Sequence, residues 1–248
     1  MSGDIVTAAV LVIGDEILSG RTPDRNVNYI AAHCTRVGIR LQEVRVVGDD
    51  EAAIVEAVNA LRERYTYLFT TGGIGPTHDD ITADAIAKAM KVPIDLDPRA
   101  VELLRAFFAR RGIEATPARM RMARIPSGAE LIANTVSVAP GFMIGNVIVL
   151  AGVPDIMQVM LDDVTAKLRT GAKMLTATIQ LFRPEGDVAD IFATHQKKFP
   201  DVAMGSYPTF AEGRVSTQLV LRSTDSAMLE IARASLEGEL IARGLLKI

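Results

Sequence analysis

The stretch Thr70-Thr71-Gly72-Gly73-Ile74-Gly75-Pro76-Thr77-His78-Asp79-Asp80-Ile81-Thr82 decides the fold of the first part of this chain. It joins a short apolar run at 67–69 to a segment with helical spacing of its apolar residues at 81–90. The order is therefore strand, glycine turn and helix. Glycines let a backbone come close to a ligand, and the first turn of the following helix offers unpaired N–H groups that suit a phosphate.

The same turn carries two carboxylates, Asp79 and Asp80, and no lysine. They would repel a phosphate unless a divalent cation lay between, so the turn predicts a site for a metal-bridged phosphate or diphosphate. Glycines are also ordinary turn residues, and Thr77 with Asp80 fits a capping box that simply starts a helix. Both interpretations stay open on this motif alone, and the P-loop pattern is absent.

Two strand–helix pairs precede the glycine turn. Residues 7–14 are a nearly continuous apolar run, which is typical of a strand covered on both faces, and residues 25–37 have helical spacing. A second strand is predicted at 40–47, followed by a helix whose apolar face spans 54–61. The order β-α-β-α-β-α predicts a parallel sheet with helices on both sides.

Acidic pairs follow three of these predicted strands. Right-handed crossovers place the carboxyl ends of parallel strands at one edge, so we expect the pairs to converge there. Converging carboxylates repel each other unless a cation or protonation relieves them, which favours a binding site over unrelated helix caps. The pairs are Asp15 with Glu16, Asp49 with Asp50, and Asp79 with Asp80.

Two later segments are further candidates for this edge. Three arginines between residues 117 and 126 form either a solvated helix face or a lid that meets substrate phosphates. A second tight turn at 152–154 follows a predicted strand at 147–150, although it could equally be a helix start with proline near its first position. The arginines are Arg119, Arg121 and Arg124.

The pattern changes near residue 170. The elements beyond it are predicted in the order β-α-β-β-α, which does not extend the preceding series. We therefore predict two domains, residues 1–169 and a small α+β domain at 170–248. The predicted strands of the small domain span 174–182, 202–207 and 214–222, and its helices span 187–199 and 225–242.

Composition narrows the function classes. The net charge is −3, so there is no general attraction to nucleic acid or to an anionic membrane. The single cysteine, Cys34, fits a reducing compartment and has the spacing of a core residue on a helix. No signal peptide is recognisable, and no apolar run reaches the ~20 residues that span a bilayer. We expect a cytoplasmic protein without membrane or nucleic-acid partners.

Several motifs together resemble the molybdopterin-binding (MoCF biosynthesis) domain, and most closely its branch of competence/damage-inducible proteins, CinA. The resemblance covers roughly residues 5–169 and implies an α/β fold, a three-layer α/β/α sandwich with a mostly parallel sheet. Ala151 departs from the proline that the family commonly has. The motifs are Gly14-Asp15-Glu16-Ile17-Leu18-Ser19-Gly20, Val47-Gly48-Asp49-Asp50, the stretch 70–82, and Gly152-Val153-Pro154.

The second domain, with Gly205-Ser206-Tyr207-Pro208 before an alternating strand, resembles the small KH-like α+β domain that follows in CinA proteins. RNA binding is not expected. Residues 170–248 contain nine basic and nine acidic residues and no GxxG loop of the kind that clamps a nucleic-acid backbone. CinA proteins often carry a further domain that deamidates nicotinamide mononucleotide, and that activity is not expected of this chain.

The resemblance also implies a chemistry. An aspartate matching Asp80 is catalytic in the molybdopterin adenylyltransferase branch, and one matching the Asp49-Asp50 pair assists. The CinA branch is associated with divalent-metal-dependent pyrophosphatase activity on ADP-ribose, and a related domain of eukaryotic FAD synthetases can hydrolyse FAD. The expected metal ligands for Mg²⁺ or a similar ion are Asp80, Asp49 and Asp15. The expected substrate-binding residues are Gly14, Asp15, Glu16, Ser19, Gly20, Thr71, Gly72, Gly73, Gly75, Pro76, Thr77, Asp79, Gly152 and Pro154.

Three functional hypotheses result. The leading one is metal-dependent hydrolysis of a nucleoside diphosphate linkage, such as that of ADP-ribose or FAD. The second is adenylylation of molybdopterin by the same residues, and the third is a module that binds a nucleotide or pterin diphosphate without turnover. A homo-oligomer, dimer or trimer, is expected only by analogy with relatives of this fold.

Overall fold

The computed structural model describes residues 5–211 and 213–246, and the chain divides into two compact units, residues 1–171 and 172–248. This division falls beside the boundary that the sequence predicts near residue 170. Each unit has its own sheet and its own buried apolar cluster, which is what an independently folding domain requires.

The first unit alternates strands and helices for most of its length. Its strands are β1 (Val6–Ile13), β2 (Ile39–Val47), β3 (Tyr67–Thr71), β4 (Ile94–Leu96), β5 (Arg124–Pro126), β6 (Glu130–Ile132), β7 (Gly141–Ile144) and β8 (Val147–Leu150). Its helices are α1 (Asp15–Leu18), α2 (Asn26–Val37), α3 (Glu51–Arg64), α4 (Thr82–Met90), α5 (Pro98–Arg110), α6 (Pro117–Met120) and α7 (Pro154–Thr165), with a 3₁₀ helix at Arg121–Ala123.

Six of these strands form one sheet in the order β2-β1-β3-β8-β7-β6. The first four run parallel to one another, β7 pairs antiparallel with β8, and β6 pairs antiparallel with β7, so the sheet is mostly parallel, as predicted. Strands β4 and β5 pair separately. The parallel strands end at Ile13, Val47, Thr71 and Leu150, and the loops that follow them share one edge of the sheet.

Strand β1 shows why the sheet is covered on both faces. Its alternate residues enter two different buried clusters: Leu11 packs in the cluster that contains α3, α4 and α5, and Val10 packs in the cluster that contains α2 and α7. Helices therefore lie on both faces of the sheet, which confirms the predicted α/β/α sandwich. Cys34 is fully buried in α2, and this burial raises the pKa of its thiol to about 12, as suits a core residue.

The second unit is a small α+β domain with an antiparallel sheet, as predicted. Its sheet has the strand order β10-β11-β9, and its core includes Leu219 and Leu221 of β11 with Leu236 of α9. Its elements are β9 (Leu175–Leu181), a 3₁₀ helix (Glu185–Asp187), α8 (Ala189–Lys198), β10 (Ala203–Ala211), β11 (Arg214–Ser223) and α9 (Ser226–Ala242). In neither unit do the described residues include a helix long and apolar enough to cross a membrane.

Candidate functional site

A cavity of about 520 Å³ lies at the carboxyl edge of the large sheet. The glycine turn after β3 and the turn after β8 form part of its wall, together with a loop at 134–139. Its size is that of a pocket for a nucleotide-sized ligand. The position agrees with the rule that open α/β sheets bind ligands beyond the carboxyl ends of their strands.

The glycine turn has a backbone that other residues would not tolerate. Gly72 has φ +103° and Gly73 has φ +65°, and a Cβ on either would come closer than 3.0 Å to a neighbouring atom. The neighbours are the carbonyl oxygen of Ile13 and the hydroxyl of Thr82. The Thr82 hydroxyl donates to the Gly72 carbonyl at 2.9 Å, and the Thr82 N–H donates to the Gly73 carbonyl at 3.0 Å, so α4 fixes the turn.

Asp80 is held over this turn by Thr77. The Thr77 N–H donates to Asp80 Oδ2 at 2.8 Å, and the Thr77 hydroxyl donates to the same oxygen. A Cβ on Gly75 would lie 2.6 Å from that oxygen, so the carboxylate rests against Gly75. Among the residues that the structure describes, none donates to Asp80 Oδ1, which is left for a ligand.

The Thr77–Asp80 pair does not start a helix, so the capping-box interpretation is wrong. Helix α4 begins at Thr82, with Ile81 at its N-cap position and no side-chain cap. The pair closes a turn inside the loop instead. The reason is that the carbonyls of Gly72 and Gly73 take the hydrogen bonds of Thr82 and so set where the helix begins.

Asp15 and Asp49 come together as the sequence predicts, but they bind each other's backbone. The Asp15 N–H donates to Asp49 Oδ2 at 2.9 Å, and the Asp49 N–H donates to Asp15 Oδ1 at 3.3 Å. Asp50 is the N-cap of α3, accepting from the Ala53 N–H at 2.8 Å. These three carboxylates organise two loops, and none of them lines the cavity.

The structure separates the predicted site residues into two groups. Those that line the cavity are Glu16, Gly72, Gly73, Gly75, Pro76, Asp80, Gly152 and Pro154. Those that do not are Gly14, Asp15, Ser19, Gly20, Asp49, Asp50, Thr71, Thr77 and Asp79. Of the three expected metal ligands, Asp80 lines the cavity and Asp49 and Asp15 do not, and nowhere in residues 5–211 and 213–246 do three or more His, Cys, Asp or Glu side chains cluster as a metal site would.

Asp79 lies on the outer side of the turn, exposed to solvent beside His78, with 3.9 Å between the His78 Nδ1 and the Asp79 Oδ1 atoms. Its pKa lies below the usual range because the nearby Thr77 hydroxyl, the Asp79 backbone N–H and His78 all favour the ionised form. The Thr77 hydroxyl donates its hydrogen bond to Asp80, so it acts on Asp79 as a neighbouring dipole. Asp79 is thus an ionised surface carboxylate and not a proton donor at neutral pH.

Much of the cavity wall comes from residues that the sequence motifs do not single out. Met122, Ile156 and Met160 give it an apolar side. The buried amide of Asn134 shapes the opposite loop: its Nδ2 donates to Ser137 Oγ at 2.7 Å, and its Oδ1 accepts from the Ser137 N–H at 3.0 Å. These residues come from three separate segments, near 122, 134–137 and 156–160, so only the packed structure reveals that they share a wall. The remaining wall residues are Ile74 and Val153 within the motifs and Thr22, Ala139 and Ala151 outside them.

Asn26 is a supporting residue behind this wall. Its Nδ2 donates to the Gly152 carbonyl at 2.7 Å, and its side chain is buried, with the residue 5% exposed. This hydrogen bond ties the start of α2 to the turn after β8. The turn carries Val153 and Pro154 of the cavity wall, so Asn26 keeps that part of the wall in place.

Asn26→Ala is expected to lower the free energy of unfolding by about 1–2 kcal/mol, because a buried side chain is truncated and the Gly152 carbonyl loses its donor. The measurement is urea unfolding of purified variants. Asn28→Ala, at an exposed position of the same helix, is the matched control and should change stability by less than about 0.5 kcal/mol. Equal effects of the two changes would mean that the Gly152 contact contributes nothing.

Fold and cavity together define an α/β protein with a cavity of ligand size at the carboxyl edge of a mostly parallel sheet. Residues 9–170 match the family model of a probable molybdopterin binding domain, and residues 173–247 match that of the middle domain of FAD synthase. The chain belongs to the molybdopterin-binding domain family, in its CinA-like branch. The two matched descriptions indicate a function related to pterins or nucleotides.

Individual relatives agree with this assignment. The crystal structure of the protein CinA, of unknown function, from Thermoplasma acidophilum is 33% identical, with a TM-score of 0.60, and the match covers 65% of this chain and 98% of that one. A protein of Aeropyrum pernix is 31% identical over 92% of this chain and 88% of its own length. A CinA-like protein of Desulfosudis oleivorans is 35% identical over 83% of this chain, which spans 52% of that relative.

Proposed function

We propose that this protein hydrolyses the diphosphate linkage of a nucleotide such as ADP-ribose or FAD with the help of a divalent metal ion. The observation that carries the proposal is the combination, in one cavity, of a glycine turn and two carboxylates, Asp80 and Glu16. The turn offers backbone N–H groups to phosphate oxygens. The carboxylates supply what a phosphate-binding turn alone lacks, which is a means of holding a cation.

The carboxylates fit such an ion. Mg²⁺ usually keeps several waters and takes one or two carboxylates together with substrate phosphates, rather than an all-protein cage. Asp80, with Oδ1 left for a ligand, provides one such carboxylate, and Glu16 lies in the wall of the same cavity. If an ion were held at Asp80, it would offset the charge of the phosphates and supply Lewis acidity for the attack of water.

The chain itself supplies binding and proton transfer. The N–H groups of Gly73 and Gly75 hold the phosphate, and the Thr77 contacts keep Asp80 directed at it. Glu16, exposed at the rim of the cavity, is the carboxylate that takes up the proton of the attacking water. The apolar wall around Met122 and Met160 suits the flat ring of the nucleoside.

The direct test is product analysis. The purified protein is incubated with ADP-ribose and separately with FAD, each with Mg²⁺, with Co²⁺ or with a chelator. We expect AMP to appear from at least one substrate with metal and to be absent with the chelator. The absence of AMP from both substrates with either metal would rule out the proposal for these nucleotides.

Adenylylation of molybdopterin is the second candidate, favoured by the match of residues 9–170 to a molybdopterin-binding family. It would use the same glycine turn and Asp80. The distinguishing experiment supplies ATP and molybdopterin and follows transfer of AMP. Tight binding of a nucleotide or pterin without any product in either assay would instead indicate a module that binds and does not react.

Asp49→Asn separates a loop-tying role from a metal-binding role. Asparagine keeps an oxygen that accepts from the Asp15 N–H, so we expect AMP formation within about twofold of the unmodified protein. Asp49→Ala removes the acceptor and should lower stability by about 1 kcal/mol. The measurements are turnover at saturating Mg²⁺ and urea unfolding. A hundredfold loss of turnover in Asp49→Asn, with folding intact, would instead indicate that Asp49 is a metal ligand.

A further inference from the structure

Arg121 is a half-buried arginine without a partner among the described residues. It lies at the start of the 3₁₀ helix Arg121–Ala123, and its Nε is buried without a hydrogen-bond acceptor. Leaving a charged donor buried and unsatisfied costs free energy, and native structures seldom do so without a reason. The group therefore indicates an acceptor that comes from outside the chain.

The neighbouring arginines show that this is not a general property of the segment. Arg124 forms an ion pair and hydrogen bonds with Asp84, and Arg119 donates to the Glu114 carbonyl at 2.7 Å. Both are thus engaged within the fold. Of the three arginines in this basic stretch, Arg121 is the one left for a ligand.

Its location identifies the ligand. A small cavity beside the main one is lined by Arg121 and also by Gly73, Gly75 and Asp80, which line the main cavity too. Arg121 therefore shares the wall of the small cavity with the glycine turn, whereas the β8 turn lines only the main cavity. Although Asp80 lines the same small cavity, no ion pair joins the two side chains.

The chemistry at this point suits a diphosphate. A planar guanidinium binds phosphate oxygens with two parallel hydrogen bonds, and its charge offsets the repulsion between phosphate and Asp80. A diphosphate also has enough oxygens to bind a cation held by the carboxylates and, at the same time, the guanidinium of Arg121. A nucleoside without phosphate has no anionic group with which the Arg121 guanidinium could pair.

We propose that Arg121 binds a phosphate oxygen of the substrate diphosphate and so makes the site select diphosphates over nucleosides. The proposal deepens the proposed function and rests on the same cavity. It assigns to Arg121 a cationic contact with the substrate, which the residues of the glycine turn do not supply.

Binding of non-hydrolysable probes tests this directly. Titration calorimetry in the presence of Mg²⁺ measures the affinities of α,β-methylene-ADP, methylenediphosphonate and adenosine. We expect Arg121→Gln to weaken both diphosphate analogues about 10–100-fold, because a charge-assisted hydrogen bond is lost, and to leave adenosine unchanged. Arg121→Lys should recover part of the loss, since lysine keeps the charge but not the two-pronged geometry.

The control is Arg105→Gln, at an exposed position of α5 away from the cavity, which should bind all three probes as the unmodified protein does. If Arg121→Gln binds the diphosphate analogues as tightly as the unmodified protein does, the inference is overturned, even if the protein hydrolyses ADP-ribose. Failure of the unmodified protein to bind either analogue would overturn it as well. Arg121-dependent binding without AMP formation would support the inference and contradict only the hydrolase proposal.

Discussion

Asp80→Asn is expected to reduce metal-dependent AMP formation from ADP-ribose or FAD by about 10²–10³-fold, because the substitution removes the charge that holds the cation at the phosphate. The turn should stay folded, since the amide oxygen of asparagine still accepts from the Thr77 N–H, which lies 2.8 Å from Asp80 Oδ2. The measurement is kcat/KM at several Mg²⁺ concentrations, together with a circular dichroism spectrum to verify folding.

Glu102→Gln is the control for the loss of one negative charge. Glu102 is exposed on α5 and takes no part in the cavity, so turnover should be unchanged. An Asp80→Asn protein that hydrolyses its substrate at the normal rate would remove Asp80 from the reaction. If turnover falls but higher Mg²⁺ restores it, Asp80 contributes to metal affinity and not to the chemical step.

Gly72→Ala is expected to cost roughly 2–5 kcal/mol of stability, the largest effect of any single substitution proposed for the fold. Alanine is destabilising here for two reasons. Its backbone would have to adopt φ +103°, which L-residues avoid, and its methyl group would clash with the carbonyl oxygen of Ile13 at the end of β1. That oxygen belongs to a strand paired on both sides and cannot move aside cheaply. Urea unfolding gives the total, and hydrogen exchange of peptides from β1 and β3 locates the loss.

Gly128→Ala separates the two penalties. Gly128 has a similar backbone, φ +84°, but its Cβ would meet nothing within 4 Å, so only the backbone strain of about 1–2 kcal/mol is expected. If the two alanine variants lose the same stability, the contact with Ile13 carries no cost. If Gly72→Ala hardly changes the free energy of unfolding, the backbone of the glycine turn can shift away from β1 more easily than their packing indicates.

The elements of the fold were largely predictable because their signals are local. A continuous apolar run at 7–14 predicts a strand buried on both faces, and β1 is Val6–Ile13 with alternate residues in two clusters. The helix predicted at 25–37 is Asn26–Val37. In each case the residues that define the element lie next to each other or one helical turn apart, so the chain order contains the information.

The site was predictable only in part, because its carboxylates compete for different partners. The acidic pairs do reach the same edge, yet Asp15 and Asp49 accept from each other's N–H groups, and Asp50 caps α3. A carboxylate after a strand can bind a cation or a backbone N–H equally well. Which one it binds depends on where the loops place the N–H groups, and no spacing in the sequence encodes that.

The order of elements, the two-sided sheet, the glycine turn at its edge and the family all follow from the sequence. Only the folded chain shows which carboxylates face the cavity and that Met122 and Met160 form its apolar side. It also shows that Arg121 has no partner among the described residues, while Arg119 and Arg124 have theirs. The physical reason is distance along the chain. Periodicity and turn chemistry act over a few residues, whereas a cavity and its unpaired charge arise from segments that only packing brings together.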